Sequence, residues 1–231
     1  MPQAFSLSPD VFYCEFEAAI IILDVSADTY ARLTPAQCLW FREILSSEDL
    51  AGLDVHAAHF AEHLVDRGLL QLSEASTRLA EKGRPYTARD SLLDTALDAH
   101  QTLSLRCLAP FAYAIVSASL LERSHKFKGV IRTARAWKRS ALSRPAIPEA
   151  QVLAITRAFH ALSPLLVTTH EACRFRSLAL IRFLSLFGVP ADWVFGVRLS
   201  PFGAHCWVEH DGIILNDHSD NAFEYTPIMK V

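Results

Sequence analysis

The chain has 231 residues, of which 51% are hydrophobic and 20% are charged, and its formal net charge is −3. This composition supplies enough apolar side chains for a folded core and excludes a disordered polypeptide. The slightly negative charge argues against general binding to nucleic acid. The N-terminus lacks the basic head and apolar segment of a secretory signal, and the five cysteines show no CxxC spacing. We therefore expect a cytoplasmic protein without a disulfide framework or a structural zinc site.

Residues 1–75 are predicted to form a small α+β module. Apolar β-forming residues at 11–16 and 19–23 predict two strands, and a turn at 24–28 leads to a third extended segment at 30–33. Thr34 followed by Pro35 is typical of a helix N-cap and first helical residue. A second helical pattern covers 55–65 and ends at Gly68. Strands followed by short helices in about 70 residues are typical of a winged-helix module.

Charge is distributed unevenly along the chain. Residues 1–70 hold eleven acidic and three basic side chains, a formal charge of −8, which argues against DNA binding by this module. A sheet edge beside a helix is suited instead to an extended peptide that adds as a strand. The stretch 122–144 is strongly basic, and we interpret it either as a solvated helix face or as a docking surface.

The remainder, 76–231, is predicted to form a second domain in two parts. The part at 76–165 is mainly helical, with one helix over 91–123 and another over 149–162. Within it, the apolar stretch 107–121 is too short to span a membrane and is interpreted as a buried helix. The part at 166–231 begins with a helix over 173–187 that ends at Gly188. Strands at 193–198, 204–209, 213–215 and 224–228 follow, and Asp211-Gly212 indicates a hairpin, so we expect an antiparallel sheet.

Three residues of this last part have the types and order of a catalytic triad. Cys173 is expected at the first turn of its helix, where unpaired N–H groups and the helix dipole lower a thiol pKa. His205 falls on a predicted strand, and Asp217 is expected at the end of the second strand of the hairpin. An imidazole removes the thiol proton while a carboxylate orients the ring. The competing interpretation is an inert, buried cysteine.

The segment from Cys173 onward resembles a known family. Its matching residues are CRFRSL at 173–178, GVR at 196–198, PF at 201–202, AHCWVE at 204–209, ND at 216–217 and EYTPI at 224–228. They resemble the C-terminal region of the lasso-peptide maturation B protein, a leader peptidase with a transglutaminase-like (papain-like) cysteine peptidase domain. The resemblance implies that Cys173 is the nucleophile, His205 the base and Asp217 the orienting carboxylate. Cys206 departs from the pattern, which usually has a small residue such as alanine. We expect its side chain to pack in the core, on the face opposite His205.

The N-terminal segment, through DVSADTYARLTPA and the helix that ends near Gly68, is similar to the precursor-recognition modules of peptide-modifying pathways. These modules bind a leader peptide as an added strand. In the family that the chain resembles, the recognition module is either a separate protein or fused to the peptidase, and the length and strand pattern of this chain indicate the fused form. The similarity also implies leader contacts at Tyr30, Ala31, Leu33, Val55 and His59.

Taken together, the resemblances imply a cysteine peptidase that binds the leader of a lasso-peptide precursor and hydrolyses the leader–core bond. The expected partners are the precursor peptide and a lasso cyclase of the asparagine-synthetase type. No GxxxxGK[ST] motif is present, so no cofactor is expected in this chain, and any ATP dependence is assigned to the cyclase or to an unrecognised site. A metal site that combines His170, His205 and His218 is a weaker interpretation, because zinc sites normally have paired ligands at tight spacing and only one such pair is present. The alternative functions are acyl or amine transfer by the same three residues, and a non-enzymatic leader-binding scaffold.

Overall fold

The computed structural model describes residues 3–17, 19–47, 52–74, 88, 90–94, 105–163 and 173–231. The chain divides into two compact units, Met1–Arg84 and Pro85–Val231. The predicted domain boundary after residue 75 falls in a stretch outside the described residues, so its position stays a prediction.

The first unit contains two small antiparallel sheets. In one, the strands β2 (Val11–Phe16), β3 (Ala19–Asp24) and β4 (Thr29–Arg32) follow one another, with β3 in the middle. In the other, β1 (Gln3–Leu7) pairs with β5 (Leu70–Glu74). The strands predicted at 11–16, 19–23 and 30–33 are confirmed. The β1–β5 pair was not predicted because its two short strands are brought together from opposite ends of the unit.

Two helices complete the first unit, α1 (Pro35–Ser46) and α2 (Val55–Asp66). The predicted start of α1 is confirmed by a capping box. The Thr34 hydroxyl accepts from the Gln37 N–H, and the Gln37 side chain accepts from the Thr34 N–H at 2.9 Å. After α2 the chain turns at Gly68, whose positive φ of 71° suits glycine.

The core of this unit is formed by the inner faces of the sheets and helices. Its fully buried members include Ile20, Ile22, Phe41, Ile44 and Ala61. The unit is therefore a mixed α+β module; the narrower winged-helix assignment stays a prediction.

In the second unit, the helix α6 (Cys173–Leu186) is central, and α3 (Leu108–Ser124), α4 (Phe127–Leu142) and α5 (Glu149–Leu162) pack against it. Eight α6 side chains, from Ser177 to Ser185, are buried. This enclosure fixes the position of the Cys173 end of α6 against the sheet. The helix ends one residue earlier than predicted, and Gly188 has the positive φ expected of a helix terminator, 83°.

The predicted helix over 91–123 is wrong at its beginning. Asp90 and Ser91 form a short strand, β6, that pairs in parallel with residues 213–214, and the helix itself starts at Leu108 after a 3₁₀ turn at Leu105–Cys107. The pairing of β6 is a tertiary contact over more than 120 residues, which the local helical pattern does not reveal. Residues 95–104, also part of the predicted helix, lie outside the described residues.

The interpretation of 107–121 as a buried helix is only partly right. Phe111, Ala114 and Ala118 are buried, whereas the large side chains of Val116 and Leu120 are exposed. By length and composition alone, the segment Leu105–Ser124 would suffice to cross a membrane, a test that core helices of soluble proteins also pass.

The sheet of the second unit has the order β10-β7-β8-β9-β6. Its remaining strands are β7 (Asp192–Leu199), β8 (Phe202–His210), β9 (Ile213–Ile214) and β10 (Thr226–Lys230), and a short helix α7 (Ser219–Phe223) precedes β10. The predicted strands are confirmed, and the sheet is antiparallel except where β6 joins β9. Asp211 and Gly212 both have positive φ, as the predicted two-residue hairpin requires. Because β9 ends at Ile214, Asp217 lies in the following loop and not at a strand end.

Candidate active site

Cys173 is the first residue of α6, and its side chain is only partly buried. The pKa of this thiol is lowered to about 4. The largest cause is a hydrogen bond from the Cys206 thiol, followed by the hydrogen bond and positive charge of His205, which together outweigh the opposing effect of burial. Cys173 is therefore a thiolate at neutral pH.

His205 lies on β8 and contacts both Cys173 and Asp217. Its Nε2 atom is 2.6 Å from the Asp217 Oδ2 atom, so Nδ1 is the ring nitrogen left for the Cys173 sulfur. Burial of the ring lowers the pKa of His205, but the hydrogen bonds and negative charges of Asp217 and Cys173 outweigh it and raise that pKa to about 9. At neutral pH the imidazole is therefore charged and paired on both sides.

Asp217 is held in its loop by several donors. The Asn221 amide donates to both carboxylate oxygens, at 3.0 and 2.9 Å, and the His218 backbone N–H donates to Oδ1 at 2.9 Å. Burial raises the pKa of Asp217, yet the hydrogen bonds from His205 and Asn221 and the charge of His205 lower it overall. The carboxylate is thus ionised and fixed toward the imidazole.

The loop that carries Asp217 is also held by residues near β6. The Ser91 hydroxyl donates to the Asp217 backbone oxygen at 2.5 Å. The Asp94 carboxylate contacts the His218 Nδ1 atom at 2.8 Å and accepts from the Ser219 N–H at 3.0 Å. A segment more than 120 residues away in sequence therefore supports the position of the carboxylate.

Aromatic rings enclose the imidazole. The ring centroids of Trp207 and Tyr225 lie 6.0 and 5.2 Å from that of His205. The indole N–H of the fully buried Trp207 donates to Glu209 at 2.7 Å, and Lys230 lies 3.3 Å from the same carboxylate. These contacts fix the indole beside the imidazole. The aromatic rings shield one side of the imidazole from water.

A polar contact network joins α6, β8 and the Asp217 loop below the reacting groups. The Asn216 amide donates to the Ser177 hydroxyl at 2.9 Å and accepts from the Val208 N–H at 2.7 Å. The Ser177 hydroxyl in turn lies 3.4 Å from the Cys206 carbonyl oxygen. The three elements that carry Cys173, His205 and Asp217 are in this way connected by hydrogen bonds that are at least partly buried.

The structure thus brings Cys173, His205 and Asp217 together. Sequence reasoning missed Asn221, Ser91 and Asp94, and it assigned Cys206 to core packing alone. Asn221 stands four residues after Asp217, which gave a local indication. Nothing local indicated Ser91 or Asp94, because they reach the loop through the β6–β9 pairing.

The residues predicted to contact a leader peptide lie in the first unit and differ in their exposure to solvent. Tyr30 and Ala31 are on the edge strand β4 and are partly exposed, and Val55 and His59 are exposed on α2. Leu33 is buried in the core, so its side chain is not available to a peptide, which corrects that part of the prediction. The main contacts of α2 are with α1 and β5.

The weaker interpretation of a metal site receives no support from the described residues. Within the described ranges, no three His, Cys, Asp or Glu side chains are grouped as metal ligands. His170 lies outside them, while His205 and His218 pair with Asp217 and Asp94 respectively.

The second unit therefore carries a cysteine at the first residue of a helix that packs on a sheet with a histidine, which is the arrangement of a thiol site. Comparison with family models agrees, because residues 114–230, half of the chain, match the Transglutaminase-like superfamily. The chain belongs to this superfamily. The matched region runs from α3 to β10 and includes Cys173, His205 and Asp217. No curated protein and no solved structure gives a significant match to the chain.

Proposed function

We propose that this protein is a cysteine peptidase that hydrolyses the leader–core bond of a lasso-peptide precursor. The observation that carries the proposal is the hydrogen-bonded series from Asp217 through His205 to Cys173 at the start of α6. The superfamily includes cysteine peptidases, and the residues at 173–178, 196–198, 204–209 and 216–217 resemble those of the lasso-peptide leader peptidase.

The reaction follows from the charges of the site. The Cys173 thiolate attacks the carbonyl carbon of the scissile bond, and the His205 imidazolium gives its proton to the leaving amine as the C–N bond breaks. The core is released, and the leader remains as a thioester on Cys173. Neutral His205 then takes a proton from water, hydroxide attacks the thioester, and the leader leaves with a free carboxylate. Asp217 keeps the imidazole oriented and stabilises its charged form.

The first unit is proposed to bind the leader as a strand added to β4. The Leu33 N–H donates to the Ile20 carbonyl of β3. In an antiparallel pair, the backbone N–H and C=O groups of successive residues point alternately toward and away from the neighbouring strand. Those of Arg32 therefore point away from β3. An extended peptide is able to pair with groups in that orientation. In this proposal Tyr30 and Ala31 of β4 contact the bound peptide, and Val55 and His59 contact it from α2.

The remaining proposals concern the setting of the reaction. A cyclase of the asparagine-synthetase type would receive the released core. Any ATP requirement then belongs to that partner, and both proteins act in the cytoplasm.

Mass spectrometry of a candidate precursor incubated with the full-length protein in ¹⁸O-labelled water tests the proposed function. Hydrolysis predicts a free core and a leader whose new carboxylate carries ¹⁸O. Cys173→Ala is expected to abolish both products, and Cys107→Ala, which removes another buried thiol, is expected to keep them. A mass-shifted adduct in place of the carboxylate indicates transfer, and binding without cleavage by the wild type indicates a scaffold; either result contradicts the proposal.

A further inference from the structure

The loop that carries Asp217 lies between β9 and α7 and belongs to neither element. Its backbone is held in part by side chains that reach it from other parts of the chain. His160 of α5 lies 2.7 Å from the Leu215 carbonyl oxygen, and the Ser91 hydroxyl donates to the Asp217 carbonyl oxygen. A third side chain, that of Asp94, contacts the far end of the loop, where α7 begins.

Asp94 binds the first residue of α7 through one carboxylate oxygen. That oxygen accepts from the Ser219 backbone N–H at 3.0 Å and also from the Ser219 hydroxyl. The other carboxylate oxygen lies 2.8 Å from the His218 Nδ1 atom. Asp94, which precedes Ser219 by 125 residues, therefore acts as an N-terminal cap of α7. Because α7 has only five residues, and isolated helices of that length are not stable in water, its position depends on such contacts.

The short helix that Asp94 caps carries a further residue of the site. Asn221, two residues after Ser219, donates to both carboxylate oxygens of Asp217 at 3.0 and 2.9 Å. Its amide nitrogen also lies 3.3 Å from the His205 Nε2 atom. A displacement of α7 would therefore move the amide that fixes the carboxylate beside the imidazole.

The segment that bears Asp94 is itself fixed to the sheet. β6 pairs with β9, and the Leu92 N–H donates to the Ile214 carbonyl oxygen at 2.9 Å. The Asp94 N–H donates to the Ser91 carbonyl oxygen at 3.3 Å, which closes a turn after β6. The cap is thus supplied from the sheet and not from α7 or its loop. It also lies outside residues 114–230, which match the superfamily.

We propose that Asp94 is a positioning residue that caps α7 and thereby keeps the Asp217 carboxylate directed at His205. The inference rests on the proposed function, in which the His205 imidazolium protonates the leaving amine. Without the cap, α7 would fray from its first residue, and Asn221 would no longer hold the carboxylate in one orientation. The imidazolium would then lose part of the stabilisation that the carboxylate provides.

The test is an NMR titration of the His205 ring in the full-length protein, with its signal assigned by its loss in His205→Ala. The pKa of His205 is expected near 9 in the wild type. Asp94→Ala is expected to lower that pKa by about one unit, because a fixed carboxylate contributes about 1–3 units and a mobile one contributes less. Asp94→Asn keeps an oxygen for Ser219 and is expected to stay close to the wild type. Asp90→Ala removes an exposed carboxylate from the same segment and is the matched control, without an expected change.

Cleavage of a candidate precursor by the same variants is the second measurement. Asp94→Ala is expected to lower kcat about tenfold, because a carboxylate that moves orients the imidazole less precisely. KM is expected to stay unchanged, since the proposed leader-binding strand β4 is not altered. If Asp94→Ala does not fold, Ser219→Ala replaces it. That variant removes the hydroxyl that donates to Asp94 and is expected to lower the pKa of His205 in the same direction.

The outcomes separate this inference from the proposed function. An unchanged pKa of His205 in Asp94→Ala overturns the inference. An equal decrease in Asp94→Ala and Asp94→Asn also overturns it, because that result would indicate the charge of Asp94 and not its cap hydrogen bonds. A wild-type pKa of His205 near the ordinary value of about 6.5 overturns the charged pair and this inference with it. A high wild-type pKa that Asp94→Ala lowers, without cleavage of the precursor, supports the positioning role and contradicts only the peptidase.

Discussion

The Asp217–His205 hydrogen bond determines the charge of the site at the residue scale. At 2.6 Å it is short enough for an ionic hydrogen bond, and it raises the pKa of the imidazole toward 9. Asn221 donates to both oxygens of the same carboxylate. The carboxylate therefore has little freedom to turn away from the ring.

Asp217→Asn tests this dependence. The substitution keeps the shape of the side chain but removes its charge, so the pKa of His205 falls and less of the imidazole is protonated at neutral pH. Precursor cleavage is expected to drop about 10²–10⁴-fold, as for comparable triads. Asn221→Ala, which removes donors to the carboxylate and a 3.3 Å contact with the His205 Nε2 atom but keeps the charge of Asp217, is expected to cause a smaller loss. The measurement is kcat/KM for the precursor. Equal losses of kcat/KM in Asp217→Asn and Asn221→Ala would contradict the larger effect assigned to the charge of Asp217.

The principal residues of the site were predictable from sequence, and their supports were not. Cys173, His205 and Asp217 have distinctive types and follow a helix, a strand and a hairpin that local patterns indicate. Ser91 and Asp94 contact the Asp217 loop only because β6 joins the sheet beside β9. Cys206 was expected to pack in the core and is buried, but its contact with Cys173 depends on how α6 packs against β8.

At the scale of elements, the β7–β8 ladder places His205 opposite Gly196. A Cβ atom on Gly196 would lie 2.7 Å from the Trp207 ring and 2.9 Å from the Tyr225 Cβ atom. These are the two aromatic residues that enclose the imidazole. The absence of a side chain at 196 thus lets both rings approach His205.

Gly196→Ala is therefore expected to destabilise the fold by about 1–3 kcal/mol, the usual cost of overpacking. The rings that it displaces are those beside His205, so Cys173 alkylation at neutral pH is expected to slow as well. The matched control is Gly203→Ala on β8, where the nearest atom is the Nε atom of the partly buried Arg198 at 3.2 Å, a less severe contact than those at Gly196. Chemical denaturation measures the free energy of unfolding, and equal stability of both variants would contradict this packing.

Local chemical patterns explain which elements were predictable. Thr34-Pro35 and Asp211-Gly212 specify a helix start and a hairpin through the conformations of single residues. The β1–β5 and β6–β9 pairs involve short strands whose stability comes from partners distant in sequence. Such strands have no periodicity of their own to indicate them.

At the scale of the whole molecule, the proposed function assigns recognition of the precursor to the first unit and the thiol chemistry to the second. The superfamily match lies entirely within the second unit, from residue 114 to 230. The first unit is acidic and carries the edge strand β4. A change on β4 should therefore affect capture of the precursor and leave the thiol chemistry unchanged.

Arg32→Pro tests this separation. Proline removes the backbone N–H that points away from β3 but keeps the ladder hydrogen bonds of β4, so the sheet should persist while a paired peptide loses a donor. KM for the precursor is expected to rise, with the pH profile of Cys173 alkylation unchanged. Arg32→Ala is the control for loss of the side chain alone. Equal KM values for the wild type and Arg32→Pro would contradict leader pairing at β4.

The first experiment to perform is Cys173 alkylation by iodoacetamide against pH, in the wild type and in His205→Ala. With the pKa of Cys173 near 4 and that of His205 near 9, the wild-type thiolate should remain reactive from neutral pH down to about pH 4. Cys14, whose pKa burial raises to about 12, is an internal control that should stay unmodified. In His205→Ala the midpoint should move several units toward the ordinary thiol value near 8.5. A wild-type midpoint already at that value, or one that His205→Ala does not change, would contradict an activated Cys173.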